Sequence, residues 1–387
     1  MRYFRRLSAG EGTRTLDLFL GKEALYQLSY TRRTFFKFTF GLVGFAIMLF
    51  PHKNSGEEIS YFFKDLTSGK QECVNCNSKL IPASATKLIP MVELYKQFQG
   101  KVFFAEICNL EKRVIVSVPF IPTLKAGDLC NLFAALPEQS FELYVEPKAV
   151  DQVFSKKYNL ENCSKIFPLD FQTKLSFSQG KFYKQPIPCL PRENIMQIAR
   201  HLNKRITVNF EKYRGGGDCN KFPFLNSDEI FRSIGSYSNN FITDLSLIFL
   251  DPKFSSLTDG LEAVVRQARN HQIILEDAVG LSRNNRASCI DFFNYLAKQK
   301  AFDLPFWHFL RLSSDYPTYK HLKDLSAGAV YAKTGTLTGV SSLVGKAVNK
   351  NSKTVFFCVM QNSEKSIEEL KKREAEILSQ VLSKFQD

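Results

Sequence analysis

Apolar residues along this chain recur with two different periods. Residues 59–66 read as a strand, closed by the Ser68-Gly69 turn. From Ala83 the period changes. Leu88, Ile89, Met91, Val92, Leu94 and Tyr95 fall at helical spacing as far as the breaker Gly100. Between 101 and 190 short β-rich runs, such as 113–118 and 141–145, alternate with Pro, Gly and Asn turns, which predicts an inserted, mostly β module. Helical spacing returns over 193–202. It continues from Asn226, read as an N-cap with Glu229 three residues on, through Ile230, Ile234, Phe241, Leu245 and Leu250. Three strand-like segments follow at 329–333, 342–348 and 354–360, the last two joined as a hairpin by the turn-forming 349–353. A closing helix carries Ile367, Leu370, Ile377, Leu378, Val381, Leu382 and Phe385 on one face. There is no internal repeat, phosphate loop or low-complexity tract.

The amino-terminal pattern is of another kind. Thr31-Arg32-Arg33-Thr34-Phe35-Phe36-Lys37 leads into the apolar run 38–50, which ends in the polar, breaker-rich segment 51–56. A basic stretch, a short apolar run and a polar stretch are the parts of an export signal, and the paired arginines resemble a twin-arginine leader. The run is shorter than the ~20 residues of a spanning helix. No small-x-small cleavage site follows Phe50, so the run can also remain as a membrane anchor. Residues 1–56 are therefore expected to be leader rather than fold.

Composition adds little until charge is counted. Over 387 residues, 44% hydrophobic and 23% charged positions describe an ordinary globular chain and exclude a disordered, collagenous or coiled-coil one. The net charge of +14 suits an acidic polymer such as nucleic acid, an anionic membrane or an acidic cell-wall component, although a generally basic exterior is the readier account. No motif calls for nucleic acid. Of nine cysteines only Cys73-Val-Asn-Cys76 has ligand-like spacing, and without a second pair it reads more readily as a local disulfide than as zinc.

Candidate chemistry sits in three short motifs. Ser84-Ala85-Thr86-Lys87 is a Ser-x-x-Lys sequence at a helix start, where residues three apart share a face and the amine can reach the hydroxyl. A lysine whose pKa is lowered by burial or a nearby cation can then take the hydroxyl proton. Ser178-Gln-Gly-Lys181 has the same spacing but lies in a strand-and-turn context, where that geometry fails. Ser238-Asn239-Asn240 is a Ser-x-Asn sequence. Lys333-Thr334-Gly335 falls where a strand is expected, offering a cation, a hydroxyl and a close backbone approach. Each is common alone; their order and contexts together are not.

Serine penicillin-recognising enzymes use this triplet in this order, and the chain resembles their D-alanyl-D-alanine carboxypeptidase/endopeptidase group, the low-molecular-mass penicillin-binding proteins. The resemblance is carried by Pro82-Ala-Ser-Ala-Thr-Lys-Leu88, Ala332-Lys-Thr-Gly-Thr-Leu-Thr-Gly-Val340, Gly280-Leu-Ser-Arg283 and Asp65-Leu-Thr-Ser-Gly69. It implies an α/β (α+β) penicillin-binding-protein/β-lactamase-like core, an antiparallel sheet flanked by helices, built from 57–100 and 191–387 and interrupted by the insert at 101–190. It implies Ser84 as nucleophile, Lys87 as base, Ser238 as proton relay and Asn240 as an orienting amide. Lys333, Thr334, Gly335 and Thr336 would hold substrate, and the N–H groups of Ser84 and Thr336 would form the oxyanion hole. No metal or organic cofactor is expected. The implied partners are peptidoglycan stem peptides and acylating β-lactams, met in the periplasm or at the outer face of the cytoplasmic membrane. A β-lactamase or esterase on the same scaffold, or a non-catalytic wall-binding relative, are the alternatives. The segment 313–319 and the turn Asp277-Ala-Val-Gly280 depart from the group's glycine-rich pattern.

Overall fold

The computed structural model describes residues 58–385 apart from 112, 150–151, 159–162, 168–175, 179–180, 184–189, 216–217, 255, 313–328 and 350–351. The leader and the 313–319 segment lie outside these residues. The first strand forms as β1 (Glu58–Asp65), and Gly69 turns the chain into β2 (Gln71–Val74). A 3-10 turn over Ala83–Lys87 runs straight into α1 (Leu88–Phe98). Next come β3 (Val102–Leu110), β4 (Arg113–Val118), α2 (Ala126–Ala135), β5 (Ser140–Val145), β6 (Lys148–Ala149) and α3 (Gln152–Tyr158). They are followed by β7 (Lys165–Ile166), β8 (Ser176–Ser178), β9 (Lys181–Tyr183), α4 (Arg192–His201), β10 (Arg205–Asn209) and β11 (Asp218–Asn226). The chain then becomes helical as α5 (Asp228–Gly235), α6 (Asn240–Ser246), α7 (Leu257–Arg269) and α8 (Cys289–Lys298). It ends in β12 (Ala329–Leu337), β13 (Val340–Val348), β14 (Thr354–Asn362) and α9 (Ile367–Ser383).

The principal sheet has the order β12-β13-β14-β1-β2 and is antiparallel throughout. Its centre, β14, is a continuous apolar run because both of its faces are covered. Val355, Phe357 and Val359 pack with Leu378, Val381 and Leu382 of α9, while Phe356, Cys358 and Met360 face the core built from α1, α5 and α8. Each such fully buried side chain contributes about 1.5–3 kcal/mol. The closing helix begins at Ser366, which caps it reciprocally with Glu369.

A second sheet, β10-β5-β4-β3-β11, is parallel at β10/β5 and β5/β4 and antiparallel elsewhere. Helices α2 and α4 cover it through Leu129, Leu132, Phe133, Ile195 and Ala199. The pairing of β10 with β5 and of β11 with β3 extends this sheet to residues 205–209 and 218–226. The apolar face of α4 was legible; which sheet it covers was not. The excursion is entered and left at one place, since Val102 of β3 is paired with Asn226 of β11 and Ser227 donates its N–H to Lys101 O at 2.9 Å and its hydroxyl to Phe98 O at 2.6 Å. That closure brings α1 and α5 together across a wide gap in sequence, with the Tyr95 and Phe231 rings 4.9 Å apart. It also moves the N-cap by one residue. Asn226 ends β11 and Ser227 takes the cap position, its hydroxyl committed to Phe98.

Cys73 is bonded to Cys76, and Cys108 is bonded to Cys219 across β3 and β11. Cys163 is also in a disulfide, whereas Cys130, Cys289 and Cys358 are free thiols. Among the described residues no cluster of metal-ligating side chains occurs, and no helix is long and apolar enough to cross a membrane.

Candidate active site

Ser84 and Lys87 lie in the 3-10 turn that precedes α1, where the three-residue spacing puts both side chains on one side. The turn is buried: Ser84 is 6% exposed and Lys87 completely enclosed. Lys87 Nζ sits 2.9 Å from Ser84 Oγ and donates to Val279 O at 2.7 Å. Val279 O also lies 3.5 Å from Ser84 Oγ. Burial, reinforced by the Lys333 ammonium, pushes the Lys87 amine well below the usual lysine range; Asp277 and Asp244 act in the opposite sense and Lys157 adds to the lowering.

Three neighbouring elements shape this turn. The first is β12, which presents Lys333 and Thr334, both buried, and Lys333 Nζ reaches Thr334 O at 3.2 Å. It can come so close because residue 335 is glycine. A Cβ there would lie 2.5 Å from Pro82 O and 2.9 Å from Ala85 N. Ser342 of β13 fastens the same turn by donating its hydroxyl to Pro82 O at 2.5 Å.

The second is the loop 277–285, where the glycine-poor turn noted in the sequence is held by side chains. Asp277 accepts the N–H groups of Val279 at 3.0 Å and Ser282 at 2.6 Å, together with that of Gly280. Asn285 accepts Glu276 N–H at 2.8 Å and donates to Asp277 O at 3.2 Å. Arg283 ties the loop to the β12–β13 turn through Thr338 O at 2.7 Å. Gly280, at φ +81°, packs against the nucleophile turn so tightly that a Cβ would fall 1.9 Å from Ala83 O.

The third element is α6. Helical spacing through 226–250 breaks at 236–239, where Ser238 takes a left-handed φ of +53° before Asn239 caps α6 by accepting Ile242 N–H at 3.0 Å. Such a conformation at a non-glycine residue is costly. Asn240 Oδ1 is buried with no hydrogen-bond partner among the described residues, an acceptor held ready for a donor. No direct hydrogen bond links Ser238 or Asn240 to Ser84 or Lys87 among the described residues. Ser178 and Lys181, by contrast, are paired across the two-stranded β8/β9 sheet, on strands rather than a helix start.

Sequence reasoning missed the Val279 carbonyl, which has no side-chain signature, and Asp277 and Asp244, which are long-range neighbours of Lys87.

A family model of D-Ala-D-Ala carboxypeptidase 3 (S13) matches residues 234–382, a span that includes the second and third motifs. The chain is a relative of the low-molecular-mass penicillin-binding proteins. Its activity class is that of serine D-Ala-D-Ala carboxypeptidases. The fold of this penicillin-binding-protein relative is similar to that of penicillin binding protein 4 from Haemophilus influenzae, solved with a β-lactam, at TM-score 0.59 and 16% identity over 84% of this chain and 96% of that one. It is also similar to a predatory endopeptidase from Bdellovibrio bacteriovorus in complex with an immunity protein, at TM-score 0.56 and 15% identity over 85% and 94%. A second Bdellovibrio endopeptidase, acylated by penicillin G, aligns at TM-score 0.54 and 13% identity over 85% and 92%. No curated protein sequence matches.

Gly280 provides a test of how the loop serves the turn. Gly280→Ala adds a left-handed penalty of about 1–2 kcal/mol and forces its methyl group into Ala83 O. Gly69, at φ +77° with open space around it, is the control. Gly280→Ala should lower the rate of labelling by a fluorescent penicillin at least about a hundredfold, while Gly69→Ala loses only the backbone term and labels at the wild-type rate. Equal labelling by both variants would show that loop contact does not set the geometry of Ser84.

Proposed function

We propose that the penicillin-binding-protein relative hydrolyses D-Ala-D-Ala-terminated peptidoglycan peptides through an acyl-enzyme on Ser84, with Lys87 as the base. The carrying observation is the 2.9 Å approach of a completely buried lysine amine to Ser84 Oγ. A neutral amine has two N–H groups and one lone pair. With one N–H given to Val279 O, the lone pair can accept the Ser84 hydroxyl proton as Oγ attacks the carbonyl carbon between the two D-alanines. The oxyanion falls to the backbone N–H groups of Ser84 and Thr336. Ser238 passes a proton to the departing D-alanine amine, and Asn240 receives the substrate amide. Lys333 and Thr334 bind the terminal carboxylate, with Gly335 admitting the peptide close to the β12 backbone. Water then hydrolyses the ester. A β-lactam presents a like carboxylate beside a strained amide, and acylates Ser84 by ring opening, its leaving nitrogen staying tethered to the acyl group.

Only unprotonated Lys87 can act as the base, and its pKa is lowered. The acylation rate therefore falls as pH drops through that lowered pKa, at lower pH than an ordinary lysine would impose. Ser84→Ala should abolish penicillin labelling in a folded protein. Lys87→Arg should reduce it by about a thousandfold or more, since guanidinium stays protonated. Mass mapping of the labelled peptide checks both. Label on another residue, or a wild-type rate in Lys87→Arg, would refute the assignments.

We further infer that the enzyme works outside the cytoplasmic membrane, in the periplasm or held at the membrane's outer face by residues 38–50. Two disulfides among the described residues support an oxidising compartment. Replacing Arg32 and Arg33 by lysine preserves charge but should retain penicillin-labelled protein in the cytoplasmic fraction. Unchanged export would point to an ordinary secretory signal, and wild-type protein found inside would contradict the location.

A further inference from the structure

Helix α3 belongs to the excursion between β3 and β11, yet it packs beside the serine site rather than against the second sheet. Its Phe154 and Tyr158 rings stand 4.8 Å apart and lie 5.7 and 5.0 Å from Phe241 on α6. Beneath this aromatic cluster Tyr158 donates its hydroxyl to Asp244 Oδ2 at 2.6 Å, and Lys157 Nζ lies 2.6 Å from the same oxygen. Asp244 is buried, and it follows Asn240 by four residues, so the two share a face of α6. The one helix that carries Asn240 and follows Ser238 is thus gripped by a segment over eighty residues away in sequence.

We propose that Lys157 and Tyr158 are positioning residues for the serine site, acting through Asp244 to hold α6 and the field around Lys87 in place. The proposal rests on Lys87 serving as the base.

An apolar clamp alone would fix α6. A charge couple does something more, because both of its members act electrostatically on Lys87 with opposite signs: Asp244 favours the ammonium and Lys157 opposes it. The other charged groups facing Lys87 are Lys333 from β12 and Asp277 from the loop before α8. Burial pushes the Asp244 carboxyl up. The Lys157 charge and the hydrogen bonds from Lys157 and Tyr158 draw it back toward the ionised form, while Asp277 raises it. Removing Asp244 leaves the Lys157 cation uncompensated and lowers Lys87 further, whereas removing Lys157 raises Lys87 as long as Asp244, still bonded to Tyr158, keeps its charge. A purely structural brace would not do this.

The test is the pH dependence of the second-order rate of penicillin acylation, measured on the full chain with unfolding temperature recorded alongside. Asp244→Asn keeps the side-chain shape and leaves the Lys157 cation alone near Lys87. Its acid limb should move to lower pH by about half a unit or more. Lys157→Met removes the cation that opposes the Lys87 ammonium and, with Asp244 held ionised by Tyr158, should move the limb to higher pH. Lys157→Arg should restore the wild-type profile. Limbs that stay in place, or that move together, would overturn the proposal. If Lys157→Met fails to fold, the direction of the Asp244→Asn shift decides alone. A wild-type profile with no acid limb would overturn the assignment of Lys87 itself, whereas a wild-type limb unmoved by the variants overturns only the role of the couple.

Discussion

Two lysine side chains, Lys87 and Lys333, are completely buried beside one serine, and this enclosure of like charge is the constraint on which the site depends. Taking an ammonium group out of water costs several kcal/mol, and a second one nearby raises that cost. The arrangement is eased if one amine gives up its proton. Lys87 is the member driven down, by burial first and by Lys333 second. A lysine that has lost its proton is a hydrogen-bond acceptor, which is what a serine hydroxyl needs to become a nucleophile.

The surrounding architecture reads as the means of keeping that enclosure closed. Antiparallel pairing of β12 with β13 lines up Lys333 and Gly335, and the missing side chain at 335 lets the strand lie against the turn bearing Ser84. The loop 277–285 supplies the carbonyl that takes one Lys87 N–H, and its own backbone N–H groups are gathered by Asp277. On the remaining side α6 is reached from α5 through a left-handed serine. The second sheet is hydrogen-bonded shut at its entrance by β3 and β11, so its insertion leaves α1 and α5 packed as direct neighbours.

Much of this was legible from the chain, for reasons that differ by element. The strands near the carboxyl end and the closing helix announce themselves because each is covered on known faces. Short motifs are legible because Ser84 and Lys87 are close in sequence and their relation is set by local helical geometry. What escaped was tertiary. The amphipathic α4 shows an apolar face without saying which sheet it meets. The break at Ser238 is hidden inside a helical period that continues on both sides of it. Asp277 organises its loop by capturing N–H groups of Val279, Gly280 and Ser282, a role that composition alone does not announce. The Lys157–Asp244 pair joins residues whose proximity no local pattern encodes.

The central claim is that Lys87 gives up its proton far more readily than an ordinary lysine. Lysine labelled with carbon-13 at the ε position, assigned with Lys87→Arg and Lys333→Arg variants, reports each amine's titration by nuclear magnetic resonance. The account predicts that Lys87 titrates well below the ordinary lysine value of ~10.4. A Lys87 resonance that titrates in the ordinary lysine range, in folded protein with Ser84 present, would contradict it.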